Sequence, residues 1–168
     1  AAQHENASFL SVSGTSWDNV WAVGAQPGVL NSPVVIHWNG DDWNEIETNQ
    51  LHPMWWVHPF EDGTTFIGGG GATVLKITDE DVERTPTPRF FGNTVYGVWG
   101  TAPDDVWAVG GFAGRDGFVW RYNGSSWMEI PLPENLPRSH DGEIPALFKA
   151  WGRSQDDVWF CGGLGTVL

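Results

Sequence analysis

The sequence predicts an all-β fold, a β-propeller of four-stranded antiparallel blades, on three observations. First, nearly the same stretch occurs three times, as "DNVWAVGA" at 18–25, "DDVWAVGG" at 104–111 and "DDVWFCGG" at 156–163. Second, these copies and a more divergent one end on glycines spaced by 44, 42 and 52 residues, namely Gly24, Gly68, Gly110 and Gly162. Third, hairpin patterns follow two of the copies. A repeat of about 40–45 residues with four strands is typical of a propeller blade.

The two hairpin patterns are "VVIHWNGDDWNEIE" at 34–47 and "FVWRYNGSSWMEIP" at 118–131. In both, apolar and polar residues alternate on either side of an Asn-Gly pair. Asn-Gly favours a two-residue turn of the I′ type, in which both central residues have positive φ. We therefore expect tight two-residue turns at Asn39-Gly40 and Asn123-Gly124 between the third and fourth strands of their blades.

The repeats divide a single domain, residues 1–168, into three complete blades and one incomplete blade. The predicted boundaries are 8–48, 53–86, 95–131 and, for the incomplete blade, 147–168. Because propellers have about 4–8 blades, the sequence predicts half a ring or a fragment of one. Three arrangements stay open. The chain is part of a longer propeller, or two chains complete a ring with residues 1–7 donating an outer strand, or residues 1–7 close a four-bladed ring.

The repeated tryptophans have a structural interpretation. A blade cannot bury both faces of its sheet alone, so it stacks on its neighbours. We expect Trp21, Trp107 and Trp159 to pack between blades, and Cys161 to be a small buried apolar residue in the same strand position as Val23 and Val109.

Composition excludes some partners. The formal net charge is −13, from 21 acidic and 8 basic residues, which argues against nucleic acid, since that partner requires a basic face. No stretch approaches the roughly 18 apolar residues of a membrane span. His52, His58 and the acidic stretch at 79–83 lack the spacing of known metal motifs. The sequence therefore predicts neither a metal nor a cofactor.

The pairing of W-G-x-x-x-x-D-V-W-A-V-G, at 99–110, with H-W-N-G-x-x-W, at 37–43, resembles the propeller repeats of secreted bacterial proteins common in myxobacteria. It is distantly similar to sialidase-type and photosystem-assembly-factor propellers. The resemblance implies a propeller that is secreted, periplasmic or at the cell surface. It does not imply one function, because propellers host enzymes, lectins and scaffolds alike. The sialidase motif Ser-x-Asp-x-Gly-x-Thr-Trp is absent.

Candidate ligand-binding residues lie in the loops expected around the central channel. Arginines there suit a carboxylate or other anion, and exposed aromatic rings suit a sugar. Of the adjacent pair Trp55 and Trp56, which the pleat sends to opposite faces, Trp56 is the one we assign to the site. The predicted ligand-binding set is Arg89, Phe90, Phe91, Arg115, Arg138, His140 and Trp56.

These residues favour a non-enzymatic extracellular binding module with a carbohydrate or protein ligand on the channel face. A second hypothesis is a sialidase-like glycoside hydrolase, which needs Tyr96 as nucleophile beside an acidic partner, and converging Arg89, Arg115 and Arg138. A third is a structural subunit that assembles through open blade edges, with a second copy or other blades completing the ring.

Overall fold

The computed structural model describes residues 6–28, 32–79, 81–89 and 92–168, and its regular structure is β apart from one short 3-10 helix. Blade 1 contains β1 (Ser8–Ser16), β2 (Asn19–Gln26), β3 (Ser32–Trp38) and β4 (Trp43–Glu45). Blade 2 contains β5 (Met54–Pro59), β6 (Thr65–Gly69), β7 (Thr73–Ile77) and β8 (Val82–Arg84). Blade 3 contains β9 (Thr94–Ala102), β10 (Asp105–Phe112), β11 (Arg115–Tyr122) and β12 (Trp127–Ile130). Blade 4 contains β13 (Leu147–Ser154) and β14 (Asp157–Gly162), then the helix Gly163–Gly165.

Each of blades 1 to 3 is an antiparallel meander in which neighbouring strands along the chain are neighbours in the sheet. The first strands contact one another from blade to blade, β1 with β5, β5 with β9 and β9 with β13. They therefore form an inner wall, and β4, β8 and β12 are the outermost strands. This arrangement confirms the predicted all-β propeller fold.

Blade 4 continues past its two strands. Residues 166–168 turn back along β14, where the amides and carbonyls of Phe160 and Leu168 exchange hydrogen bonds of 2.9 and 3.0 Å. Val167 lies opposite Cys161. Val167 thus occupies the register position that Val35 holds opposite Val23 in blade 1.

Apolar clusters hold adjacent blades together. Trp21 and Val23 of blade 1 pack with Met54 and Val57 on the inner strand of blade 2. The same arrangement recurs between blades 2 and 3 and between blades 3 and 4. The buried side chains in these clusters are almost fully removed from water, so blade stacking contributes hydrophobic stabilisation.

Every inner strand has a β-bulge at the same position. One residue is left without an opposing partner where β1, β5, β9 and β13 pass a glycine of the neighbouring strand, namely Gly24, Gly69, Gly110 and Gly162. The unpaired residues are Leu10, Trp55, Tyr96 and Phe148. The bulge brings the backbone of the inner strand against these glycines. A Cβ at Gly69 would lie 2.9 Å from the Pro53 carbonyl oxygen, and a Cβ at Gly110 would overlap the Thr94 carbonyl oxygen. These glycines are required for close approach.

The Asn-Gly turns differ from the prediction of two-residue I′ turns. Trp38 pairs with Trp43, so four residues form the loop. The Asn39 Oδ1 accepts the amides of Asp41 and Asp42 at 3.0 and 2.9 Å, and of the pair only Gly40 has positive φ. Residues 123–126 repeat this geometry. The prediction was wrong because the Asn side chain caps its own turn, as Asx turns do.

The expectation for the repeated tryptophans holds in part. Trp21 is buried between blades 1 and 2, and Trp107 packs in the cluster between blades 3 and 4, with its ring centroid 5.5 Å from that of Phe160. Trp159 and Cys161 are exposed, so the prediction that they are buried was wrong. In the described part of the chain, no blade packs on their face.

Candidate functional site

The inner wall displays a row of aromatic side chains, formed by the bulged residues Trp55, Tyr96 and Phe148. The ring of Tyr96 stands edge-on to Trp55 at a centroid distance of 5.1 Å and to Phe148 at 5.5 Å. Trp55 and Phe148 remain 37 % and 38 % exposed. Leu10 holds the equivalent bulge position in blade 1. We call Trp55, Tyr96 and Phe148 the inner aromatic row, and their rings present flat apolar surface on the inner wall.

A cationic group lies beside the inner aromatic row. Lys149 follows Phe148, and its Nζ is 3.6 Å from the ring centroid of Trp56, two blades away. The backbone at Phe148 and Lys149 lies directly against Gly97 of blade 3. A Cβ at Gly97 would be 2.7 Å from the Phe148 carbonyl oxygen, so the glycine leaves room for Lys149 to reach blade 2. Desolvation by burial lowers the pKa of Lys149. The ammonium therefore sits against an aromatic face with donor capacity next to the apolar row.

The structure separates the roles of Trp55 and Trp56. Sequence reasoning assigned Trp56 to the site, but its ring is partly buried against the core between blades 2 and 3 and lies under Lys149. Trp55 is the residue in the inner aromatic row. The bulge at Trp55 breaks the alternation of the pleat on which that assignment rested.

Arg89 is engaged by acidic groups of blade 3. Its Nε and Nη2 donate to the two carboxylate oxygens of Glu129 at 3.0 and 2.5 Å, and Nη1 lies 3.0 Å from Asp116 Oδ1. Its guanidinium also lies over the ring of Phe118. Hydrogen bonding to Glu129 raises the pKa of Arg89 and lowers that of Glu129. The charge predicted for a ligand is thus neutralised within the protein.

Arg115 and Arg138, also predicted to bind the ligand, have contacts within their own turn and loop. Arg115 lies over the ring of Phe112 in its own turn, 5.7 Å from the centroid. Arg138 donates from Nη1 to the Gly142 carbonyl oxygen at 2.9 Å, within its own loop. His140 is exposed in that loop. Phe90 and Phe91, also predicted, lie outside the described residues.

These contacts bear on the sialidase-like hypothesis. It needs three guanidinium groups free to grip one carboxylate, whereas Arg89 is paired with two acids and Arg138 is bound to its own loop. The described ring neighbours of Tyr96 are Trp55 and Phe148. The nucleophile of that mechanism needs a carboxylate beside it, and an aromatic environment does not supply one.

A cleft of about 630 Å³ lies between the outer strands of blades 1 and 2. His37 forms part of its wall, stacked on Trp21 at 4.2 Å, with its Nε2 2.8 Å from Asn19 Oδ1. Burial lowers the pKa of His37, and the charge of Asp79 opposes that shift. No local sequence pattern indicates this cleft, because it forms only when two blades stack.

The described residues contain no group of three or more His, Cys, Asp or Glu side chains placed to hold a metal ion. Among them, too, no helix is both long and apolar enough to cross a bilayer.

The fold and the repeated bulges place this chain in the class of β-propeller proteins. Neither a protein-family model nor a curated protein matches it. Several solved structures are similar to it. YCF48 from Cyanidioschyzon merolae aligns with a TM-score of 0.67 at 15 % identity, over 95 % of this chain and 49 % of that one. This chain therefore spans about half the length of that protein.

Two other structures are similar. The computationally designed Ika4 protein aligns with a TM-score of 0.64 at 15 % identity, over 100 % of this chain and 93 % of that one. The extracellular domain of the putative hybrid two component system BT4673 from B. thetaiotaomicron aligns with a TM-score of 0.62 at 11 % identity, over 95 % of this chain and 21 % of that one. At such identities the similarity shows the fold alone.

Proposed function

We propose that this chain is a non-enzymatic binding module that works outside the cytoplasm and holds a neutral carbohydrate chain against its inner aromatic row. The observation that carries the proposal is the repeated bulge, which places a large apolar side chain at the same point of each inner strand. Core packing does not need Trp55 and Phe148 there, since each leaves more than a third of its surface in water.

The chemistry of the wall favours a sugar. Pyranose rings have apolar C–H faces that lie against aromatic rings, and hydroxyl groups that need hydrogen-bond partners. Trp55 and Phe148 provide the first and Lys149 the second. The net charge of −13 repels anionic polymers, so a neutral glycan is preferred to an acidic one. The extracellular location is supported by the resemblance of the repeats to those of secreted bacterial propellers.

Calorimetric titration with neutral hexasaccharides, namely cellohexaose, laminarihexaose, maltohexaose and chitohexaose, tests the proposal. We expect at least one to bind, and Trp55→Ala to weaken that binding by roughly tenfold or more, since an aromatic contact contributes about 0.5–1.5 kcal/mol beyond its buried area. The matched control is Trp17→Ala, which removes an exposed tryptophan outside the row.

Two outcomes contradict the proposal. If no hexasaccharide binds at millimolar concentration, the row does not serve neutral glycans, and a protein ligand becomes the stronger hypothesis. If a glycan binds equally well to wild type and Trp55→Ala, its site lies elsewhere, with the cleft at His37 the next place to examine.

A further inference from the structure

The two ends of the described blade stack carry the two kinds of surface that the three internal interfaces bury. At each internal interface, the inner strand of one blade inserts apolar side chains into the face made by the second and third strands of the preceding blade. Blade 1 has an inner strand with no described blade before it, and blade 4 has a face with no described blade after it.

Val12, on the inner strand β1 of blade 1, is exposed although its equivalents in the other blades are buried. By register it is equivalent to Val57, Val98 and Ala150 in the other blades. Those three side chains are buried, whereas Val12 is 69 % exposed.

On the outward face of blade 4, Val167 and Trp159 are likewise more exposed than their equivalents in other blades. Val167, opposite Cys161, is 63 % exposed, although its equivalents Val35, Val74 and Val119 are buried. Trp159 is 53 % exposed, whereas Trp21 and Phe66 at the same position are buried. Val35 and Val57, the equivalents of Val167 and Val12, belong to one cluster at the internal interface, so Val12 and Val167 hold two positions that the internal interfaces bury against each other.

We propose that blade 1 of a second copy of this chain docks on the exposed face of blade 4, and that two copies close a ring through two identical head-to-tail contacts. A head-to-tail contact closes into a ring when its rotation allows, and otherwise forms an open filament. Two copies give eight blades, within the usual range of about 4–8, while three would exceed it. A four-bladed ring in one chain would bury Val12 against Val167, and both are exposed.

Analytical ultracentrifugation of the 168-residue chain from 1 to 100 µM tests the proposal. We expect a dimer, and we expect Val12→Asp and Val167→Asp each to weaken dimerisation at least roughly 30-fold, because each places a charge at the centre of an apolar contact. Met128→Asp, at an exposed residue of the outer strand β12, is the matched control and leaves the dimer intact. Since both copies are acidic, added salt strengthens the dimer.

Cross-linking identifies the orientation. At the internal interface, Val57 and Val23, the equivalents of Val12 and Cys161, belong to one cluster. Val12→Cys should therefore form a disulfide with the native Cys161 of the other copy under mild oxidation, and Cys161→Ser should abolish it. A monomer at every concentration overturns the proposal and leaves further blades of a longer chain as the partner. Open polymers, or a dimer insensitive to Val167→Asp, overturn the two-copy ring.

Discussion

Replacing Gly110 with alanine tests whether the bulges depend on a glycine opposite them. Gly110 lies where β9 bulges at Tyr96. An added Cβ would meet Phe118 Cζ at 2.5 Å, and the Thr94 carbonyl oxygen is nearer still. Ordinary contact begins at 3.4 Å, so Phe118 would have to move by about 0.9 Å in a close-packed core. Phe118 is buried and stacked on buried Trp120 at 4.0 Å, so no space is open to it.

The expected cost of Gly110→Ala is about 3 kcal/mol of unfolding free energy, the upper end for an overpacked core, since backbone and ring must both shift. For a chain of this size that lowers Tm by roughly 6–12 °C. Urea unfolding at constant m-value measures the change. The control is Gly142→Ala, where no atom lies within 4 Å but φ is +81°, and we expect a loss of about 1–2 kcal/mol. The steric argument fails if Gly110→Ala costs no more than Gly142→Ala.

Two further predictions concern buried polar groups. Trp127 donates from Nε1 to Thr85 Oγ1 at 2.9 Å, which joins blade 3 to the end of blade 2. Trp127→Phe should therefore lower the free energy of unfolding by about 1–3 kcal/mol in the urea assay. Trp43→Phe, at the half-buried equivalent in blade 1, should lower it less, and equal losses would refute the role of this bond. Burial lowers the pKa of His58 below 6.5. Below that pH the unfolded chain binds a proton that the folded chain does not, so stability falls as pH drops from about 6.5 towards the folded-state pKa. The loss between pH 7.5 and 5.5 should be smaller in His58→Phe than in wild type, and an equal loss would contradict this assignment.

The inner aromatic row could be predicted only in part from the sequence. In three of the four inner strands, a large apolar residue stands four positions before a glycine, Leu10 before Gly14, Tyr96 before Gly100 and Phe148 before Gly152. This spacing was available from the repeats. It did not identify the row, because strict alternation sends Trp55 and Trp56 to opposite faces, and the bulge that shifts the alternation arises from pairing with a neighbouring strand.

For Arg89, the sequence pointed to a ligand, whereas the structure pairs the side chain within the protein. A loop arginine in an acidic chain suits an anionic ligand, but nothing in the local sequence indicates that Glu129, 40 residues away, is its partner. The pairing exists because the connection between blades 2 and 3 packs beside the turn and outer strand of blade 3. Such contacts depend on the placement of two blades, and a repeat pattern does not encode them.

The architecture of a single blade can be predicted from the sequence. The recurring strand, its terminal glycine and the polar turns give strand order and period, because side-chain alternation and turn chemistry are local properties of the chain. Which side chains lie at an interface, on the inner wall or in solvent depends on how the blades pack together. Trp21 and Trp159 occupy the same position in nearly the same sequence, yet one is buried and the other exposed, because burial depends on whether a neighbouring blade is present to remove the side chain from water.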